Sequence, residues 1–209
     1  MPLIRKPDKD ARKPATPQPA DLLRTLTQGD ADARWSAARA AADLPDGVDA
    51  LAAALPNETD ARVREAMLTS LARIGSPRSV DAIVPLLRVD DAGVRTAALD
   101  ALRAMPDAVR AQLPALLQDD DSDVRILCCE IARTLPRDEA TRLLGELLTV
   151  ETEVNVSAAA IDVLAEIGGP AALPALDRCA ERFAGTTYLE FAIRIARGRI
   201  LAQSTEPHD

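Results

Sequence analysis

The chain has 209 residues and a formal net charge of −8, and 47% of its residues are hydrophobic although only 2% are aromatic. Sheets favour β-branched and aromatic side chains, so a composition rich in alanine and leucine predicts an all-α protein with closely spaced helices. An acidic chain lacks the basic stripe that nucleic-acid phosphates require, so we expect no nucleic-acid partner.

The first residues differ in composition from the rest. Residues 1–13 carry five basic and two acidic side chains, a net charge of +3, which leaves −11 for the remainder. All three lysines lie there, and five prolines fall within residues 1–19. Such a segment buries little apolar area, so we expect residues 1–19 to be a disordered basic tail and residues 203–209 a short disordered end.

The sequence shows no sign of a membrane or secreted protein. No apolar run approaches the roughly 18 residues of a membrane span, and no apolar signal segment stands near the N-terminus. The three cysteines are too few and wrongly spaced for a disulfide framework, which fits a reducing compartment. We therefore expect a cytoplasmic protein with no membrane contact.

A pattern of about 30 residues recurs from residue 20 onward. Its clearest copies are DARVREAMLTSLARIG (Asp60–Gly75), DAGVRTAALDALRAMP (Asp91–Pro106) and DSDVRILCCEIARTLP (Asp121–Pro136). Shorter apolar stretches lie between the copies, so each unit is predicted to be a helix A, an acidic turn and a helix B. The stretch TTYLEFAIRIARGRI ends a sixth unit that departs from the pattern. Equivalent positions, spaced by 30, 31, 30 and 32 residues, are Ala33, Val63, Val94, Val124 and Val156.

Aspartate begins each of the clear helix B copies, and arginine follows four residues later. These aspartates are placed to cap the free amides of their helices. The spacing also suits an ion pair over one helical turn, which would form a structural ladder along the repeats. The predicted pairs are Asp60 with Arg64, Asp91 with Arg95 and Asp121 with Arg125.

The repeat resembles HEAT repeats, in particular the short bacterial HEAT-like repeats of the phycobilisome-lyase family, as in LARIGSPRSVDAIVPLLRVDDAGVRTAALDAL. The resemblance covers about residues 20–202 and implies an α-solenoid of five to six stacked antiparallel helix pairs. Most members of the family bind other proteins, which implies a scaffold or adaptor with its partner on the concave face, in a bacterial regulatory or assembly system. Two alternatives stay open: a bilin lyase subunit or chaperone and, less favoured by this acidic, aromatic-poor chain, a HEAT-like DNA glycosylase.

The stretch DDDSDVRILCCE (Asp119–Glu130) looks most like a site of chemistry. A calcium loop needs alternating oxygen ligands, a central glycine and a distal glutamate, which this stretch lacks. Cys128 takes a packing position of the repeat, and we expect Cys129 to be partly exposed. Because the sole histidine is His208, near the end of the chain, we predict no catalytic residue, no metal site and no cofactor.

The exposed side chains of the B helices are the candidates for partner binding. Residues two positions after the equivalent valine form a first row, and residues six positions after it form a second row. Trp35, in the first row, is predicted either to anchor a partner or to be covered by the N-terminal tail. The first row is Trp35, Glu65, Thr96, Ile126 and Ala158, and the second is Arg39, Thr69, Asp100, Glu130 and Asp162.

Three arginines, Arg73, Arg103 and Arg133, recur at intervals of 30 residues and are predicted to stack on consecutive units. Such a column suits an acidic peptide held by bidentate hydrogen bonds. The alternative is that Asp100 and Glu130, three residues earlier, neutralise Arg103 and Arg133. The predicted partner-binding residues are therefore the three arginines together with Trp35, Arg39 and Glu130.

The last helix is apolar around most of its circumference. Aligned with Tyr188 at the valine position, it adds Arg197 to the arginine column. Because a terminal repeat needs a polar outer face, Tyr188, Phe191 and Ile195 are predicted either to be covered by C-terminal residues that fold back or to meet a partner or a second copy of the chain.

Overall fold

The computed structural model describes residues 19–205, with side chains from Asp21 to Gln203. Most of the predicted tail (residues 1–19) and part of the predicted C-terminal end (residues 203–209), with His208, lie outside the described residues. Residues 19–205 form α-helices and short 3₁₀ helices without any strand. None of these helices is long and apolar enough to cross a bilayer.

Thirteen α-helices follow one another along residues 19–205. They are α1 (Pro19–Gln28), α2 (Ala31–Ala41), α3 (Gly47–Ala54), α4 (Ala61–Ile74), α5 (Pro77–Ile83), α6 (Ala92–Arg103), α7 (Pro106–Val109), α8 (Leu113–Leu116), α9 (Ser122–Ala132), α10 (Arg137–Val150), α11 (Val154–Ile167), α12 (Leu173–Arg182) and α13 (Thr187–Thr205). Short 3₁₀ helices extend three of the A helices, at Leu55–Asn57, Val84–Arg88 and Pro170–Ala172.

The helices stack in two layers. The helix-A layer consists of α1, α3, α5, α7, α8, α10 and α12, and the helix-B layer of α2, α4, α6, α9, α11 and α13. Each B helix packs against its own unit's A segment and against the B helix of the next unit. The predicted all-α solenoid of helix pairs is confirmed, and the described residues hold six units.

The helix ends follow from local sequence signals. The side chain of Asp60 accepts hydrogen bonds from the amides of Arg62 and Val63, at 2.9 and 3.1 Å, and so caps α4 as predicted. Gly75 ends the same helix with a φ of 61°, in the left-handed region that glycine enters without a steric cost. Pro85 shortens the third A helix, because α5 gives way to a 3₁₀ segment at that point.

One apolar core runs between the two layers, from Leu22 in α1 to Ile200 in α13. The equivalent valines of the repeat lie at its centre, and Val63, Val124 and Val156 have no exposed surface. A single unit has no closed core of its own, so its stability comes from packing against its neighbours.

The predicted ion pairs between cap aspartates and arginines do not form. Asp121 accepts a hydrogen bond from the amide of Asp123 at 2.9 Å, while Arg125 donates to the carbonyl of Asp119 at 2.7 Å. The carboxylate stays at the helix N-terminus because free amides and the helix dipole hold it there. The pairs Asp60 with Arg64 and Asp91 with Arg95 are replaced in the same way: Arg64 binds the carbonyl of Glu58 at 3.0 Å and Arg95 that of Val89 at 2.8 Å.

At two unit boundaries the arginine also reaches a glutamate in the next turn. Arg125 forms a fork with Glu151, with Nε–Oε2 and Nη2–Oε1 distances of 2.8 and 3.0 Å, and Arg34 forms the same fork with Glu58. Glu151 is only 5% exposed. Burial alone would raise the pKa of Glu151, but hydrogen bonds from Arg125 and from the next two backbone amides hold that pKa below its ordinary value. The ladder therefore exists, but it joins arginine to glutamate across units.

The fifth unit lacks the arginine, and another residue replaces it. Ser157 stands at the arginine position and is buried. Arg182, from the following helix α12, donates to the carbonyls of Leu148 and Glu151, both at 2.9 Å. The carbonyls of this turn are therefore bound by a guanidinium from the sixth unit.

We predict that Arg125→Ala lowers the free energy of unfolding by about 3 kcal/mol, because it leaves the buried Glu151 carboxylate without its ion-pair partner. Urea denaturation followed by circular dichroism measures this loss. The matched control is Arg142→Ala, which removes an exposed i, i+4 pair with Glu146 and should have no measurable effect. An equal loss in the two variants would contradict the structural role of the Arg125–Glu151 fork.

Candidate functional site

The acidic turn before α9 is tied together by its own chain. One oxygen of Asp119 accepts a hydrogen bond from the amide of Asp121 at 3.0 Å, and the other pairs with Arg88 of the preceding unit. The role of Arg88 was not predicted, because it lies at the end of a helix A segment, where the repeat shows no fixed pattern. Within residues 19–205, no three His, Cys, Asp or Glu side chains are placed to hold a metal ion.

The cysteines are buried free thiols, and the expected partial exposure of Cys129 is wrong. Cys128 and Cys129 have no exposed surface, because both face packed helices rather than solvent. Burial raises the pKa of Cys128 to about 12, and it also raises the pKa of Cys129. Burial also raises the pKa of Cys179. A thiol of this kind is a packing group and a poor nucleophile.

The register of α13 differs from the sequence alignment by one residue. Leu189 has no exposed surface and takes the place of the repeat valine, whereas Tyr188 is 52% exposed. Arg197 therefore leaves the predicted arginine column, and it pairs with Asp177 of α12. The same shift places Phe191 in the first row and Ile195 in the second row.

The two rows lie on one side of the helix-B layer, about half a turn from the buried positions of each helix. We call this side the outward face, because the buried positions point to the helix-A layer. In chain order, its first row is Trp35, Glu65, Thr96, Ile126, Ala158 and Phe191, and its second row is Arg39, Thr69, Asp100, Glu130, Asp162 and Ile195.

Arg133 is held by three carboxylates of its own chain. It makes two hydrogen bonds of 3.2 Å to Glu130 and one of 3.3 Å to Asp162, and it pairs with Glu166 as well. Burial would lower the pKa of Arg133, but the hydrogen bonds and charges of Glu130 and Asp162 raise it. In the free chain this arginine thus joins α9 to α11.

The other two arginines of the column differ from Arg133. Arg73 pairs with Asp43 of the preceding unit at 2.9 Å, and both side chains are exposed. Arg103 is half-buried and makes no ion pair or hydrogen bond within the described part of the chain. It does not pair with Asp100, so the predicted neutralisation is seen at Arg133 and not at Arg103.

Two guanidinium groups lie near the ring of Trp35. The guanidinium carbon of Arg39 lies 4.7 Å from the ring centroid, and that of Arg62, from the next unit, lies 5.6 Å away. Arg62 is also paired with Asp32. Trp35 is half-buried against the core, so it is both a packing residue and part of the outward face.

An open groove of about 860 Å³ separates α4 from α6 on the outward face. Leu68 and Val94 form its apolar floor. Its walls are built mostly from small side chains, which leave room between the two helices. The small residues along it are Ala61, Ala72, Gly93, Ala97, Ala101 and Ala104, and the charged residues are Arg64, Glu65, Arg73, Asp91 and Asp100.

The apolar side chains of α13 add to the same face. Tyr188, Phe191 and Ile195 are 52%, 54% and 38% exposed. The guanidinium carbon of Arg194 lies 5.2 Å from the Phe191 ring centroid. The exposed apolar surface of the last helix therefore continues the two rows of the helix-B layer.

A second cavity, of about 620 Å³, lies beside the turn that precedes α11. Of its acidic lining residues, Glu146, Glu151 and Asp119 have arginine partners, Arg142, Arg125 and Arg88. The cavity is therefore lined mostly by groups that hold the repeat together, with the carboxylate of Asp120 at its edge.

Helix pairs stacked into two layers around one continuous core define a helical-repeat solenoid. The family profile of HEAT repeats matches residues 19–103 and 109–184, so the chain belongs to the HEAT-repeat family. The resemblance to HEAT repeats predicted from the sequence is confirmed. No curated protein sequence is significantly similar to the chain.

Several solved structures share the fold. A chain from the structure of Kap95p with RanGDP is 17% identical, with a TM-score of 0.52, over 86% of this chain and 29% of that chain. The archaeal HEAT-like repeats protein from Thermococcus onnurineus NA1 is 16% identical over 88% and 87%, with a TM-score of 0.49. A chain of the CpcE–CpcF complex of phycocyanin lyase from Nostoc sp. PCC7120 is 17% identical over 96% and 99%, with a TM-score of 0.38. At 17% identity, the similarity to the chain from the Kap95p structure shows the fold alone.

We predict that the three thiols of the native chain do not react with excess Ellman's reagent, because they are buried and their pKa values are raised. All three should react after unfolding in guanidinium chloride, which provides the control in the same sample. A full equivalent of fast-reacting thiol in the native chain would show that one cysteine is accessible.

Proposed function

We propose that this chain is a non-enzymatic scaffold or adaptor that binds a protein partner on the outward face of its helix-B layer. In solenoids of this kind the B helices usually line the concave side. The observation that carries the proposal is the groove between α4 and α6, which opens on this face and has an apolar floor.

The groove suits an inserted side chain from a partner. Leu68 and Val94 supply apolar contact, while the small wall residues leave space for an aromatic or long aliphatic group. Side chains buried in this way dominate the energy of many protein interfaces. The rim carries charges of both signs, with Glu65, Arg73 and Asp100, as expected of the polar border of an interface.

The proposal includes no catalytic role. Its support is that the reactive candidates are already used in packing: the thiols are buried, Asp119 is held by Arg88, and Glu151 is held by Arg125. The free thiols also support the cytoplasmic location that the sequence predicts. The bacterial regulatory or assembly setting stays a prediction.

Among the predicted binding residues, Arg103 fits an acidic group of the partner best, because its guanidinium has no ion-pair partner within residues 19–205. Trp35 and Arg39 form a second contact region at the N-terminal end of the face. For Arg73, Arg133 and Glu130, which have partners in the free chain, binding stays a prediction.

The association of two copies of the chain through Tyr188, Phe191 and Ile195 also stays a prediction. These side chains are exposed on the outward face, where a partner or a second copy has equal access.

We predict that filling the groove abolishes partner capture. Ala61→Arg with Ala104→Arg places two long charged side chains at exposed groove positions, so the fold should be unaffected while the groove is closed. The matched control is Ala53→Arg with Ala115→Arg, at exposed positions on the helix-A layer. Partners captured from the source organism are quantified by mass spectrometry and mapped by crosslinking.

The groove variant should retain less than about a tenth of the wild-type partner, a change of roughly 1.4 kcal/mol or more in binding. The control should retain all of it, and crosslinks should fall on the helix-B layer. Equal capture by both variants, or crosslinks confined to the helix-A layer, would contradict the proposed face.

A further inference from the structure

The outward face changes in charge along the solenoid. On α2 and α4 it carries both signs, with Arg39 and Arg62 near Asp32 and Glu65. On α9 and α11 it carries four carboxylates and one guanidinium, a net charge of −3. These residues are Asp123, Glu130, Arg133, Asp162 and Glu166. Arg133 contacts three of the four acids, so their charge is only partly neutralised within the chain. On α13 the guanidinium of Arg194 lies over the Phe191 ring, so the acidic part of this half of the face is α9 and α11.

The same half of the face carries an apolar row. In the first row, Ile126 of α9 and Ala158 of α11 are half-buried, and Phe191 of α13 is exposed. Tyr188 and Ile195 widen the apolar surface on α13. The second row beside it is acidic on α9 and α11, with Glu130 and Asp162, and also on the preceding helix α6, with Asp100; on α13 it is apolar, with Ile195. Apolar and acidic side chains thus form two parallel lines that cross the helices.

The spacing of these lines matches an α-helix laid across them. The two rows are four residues apart along each B helix, which is about 6 Å. Neighbouring packed helices are about 10 Å apart. Seven residues of a partner helix span about 10.5 Å and nearly two turns, so one side of that helix meets α9, α11 and α13 in succession.

We propose that α9, α11 and α13 bind a basic amphipathic helix of a protein partner. Apolar residues spaced seven apart in that helix contact Ile126, Ala158 and Phe191, and flanking Lys or Arg residues pair with the acidic second row. The inference rests on the proposed function and names the class of partner for the C-terminal half of the face.

Charge separates this partner from other occupants. A second copy of the chain docked with its α9 and α11 on the same two helices would bring carboxylates opposite carboxylates, and like charges across an interface are unfavourable. A basic helix neutralises the negative charges of Asp162 and Glu166, whose side chains are 76% and 55% exposed. The same helix covers the exposed ring of Phe191. Binding of this kind weakens with added salt, since exposed ion pairs are screened.

The test measures binding of a fluorescent peptide to the full chain by anisotropy. The probe has about 18 residues, with leucine at every seventh position, arginine beside each leucine and alanine elsewhere, because shorter isolated helices are marginal in water. An analogue with glutamate in place of every arginine tests the charge. Two variants test the surface: Phe191→Ala with Ile195→Ala, and Asp162→Asn with Glu166→Gln. The control, Val150→Ala with Asp107→Asn, makes the same kinds of change at exposed positions of the helix-A layer.

We expect the arginine peptide to bind and the glutamate analogue to bind at least about tenfold more weakly. Each surface variant should weaken binding at least about tenfold, a loss of roughly 1.4 kcal/mol, and the control should leave it unchanged. Failure of the arginine peptide to bind, equal binding of the two peptides, or unchanged binding by the surface variants would overturn the proposal.

Two further outcomes would assign the surface elsewhere and overturn the proposal. One is a dimer in sedimentation analysis that Phe191→Ala with Ile195→Ala dissociates. The other is a variant with Lys6→Glu, Lys9→Glu and Lys13→Glu that binds the peptide at least about tenfold more tightly, which would assign the surface to the chain's own basic segment. If the peptide fails while the native partner is still captured on the helix-B layer, the partner class is wrong and the proposed function stands.

Discussion

In five of the six described turns between helix A and helix B, arginine binds backbone carbonyls that no helix amide satisfies. Arg125 shows the full arrangement, because one guanidinium holds the carbonyl of Asp119 and the buried carboxylate of Glu151 in the next turn. Helix ends without such partners would carry a desolvation cost. Where the repeat lacks its arginine, Arg182 from the following unit binds the turn carbonyls instead. Where the guanidinium also reaches the next turn, as at Arg34 and Arg125, it joins one unit to the next and so helps to align the rows on the outward face.

The groove lies where the arginine link between units changes. Arg34 and Arg125 reach a buried glutamate in the next turn, whereas Arg64 binds the carbonyls of its own turn. A valine, Val89, stands where the glutamate would be in the turn that follows Arg64. The outward face opens into a cavity at the boundary between α4 and α6. Arg95, at the next boundary, also binds only the carbonyl of Val89 in its own turn, so the missing fork does not by itself open a groove. The small side chains along α4 and α6 leave the room into which a partner's side chain can enter.

The repeat period, the cap aspartates and the helical solenoid could be predicted from the sequence, because each depends on residues close together in one unit. Contacts between units could not. The i, i+4 spacing of Asp121 and Arg125 cannot show that amides already occupy the carboxylate. Arg182 acts on carbonyls more than 30 residues away, from a helix A segment without a fixed pattern. The sequence aligns Tyr188 with the repeat valine, one residue before the correct position at Leu189. That alignment does not place Phe191 and Ile195 in the rows of the outward face.

The most direct test of the account is carbodiimide labelling of carboxyl groups, read by mass spectrometry, on the full chain alone and bound to its captured partner. The account predicts that Glu65, Asp100 and Asp162, all exposed on the helix-B layer, are labelled at least about fivefold more slowly in the complex, since bound surface excludes water and reagent. Asp107 and Asp138, exposed on the helix-A layer, should be labelled at unchanged rates. Protection of Asp107 and Asp138 with no change at the other three would contradict it.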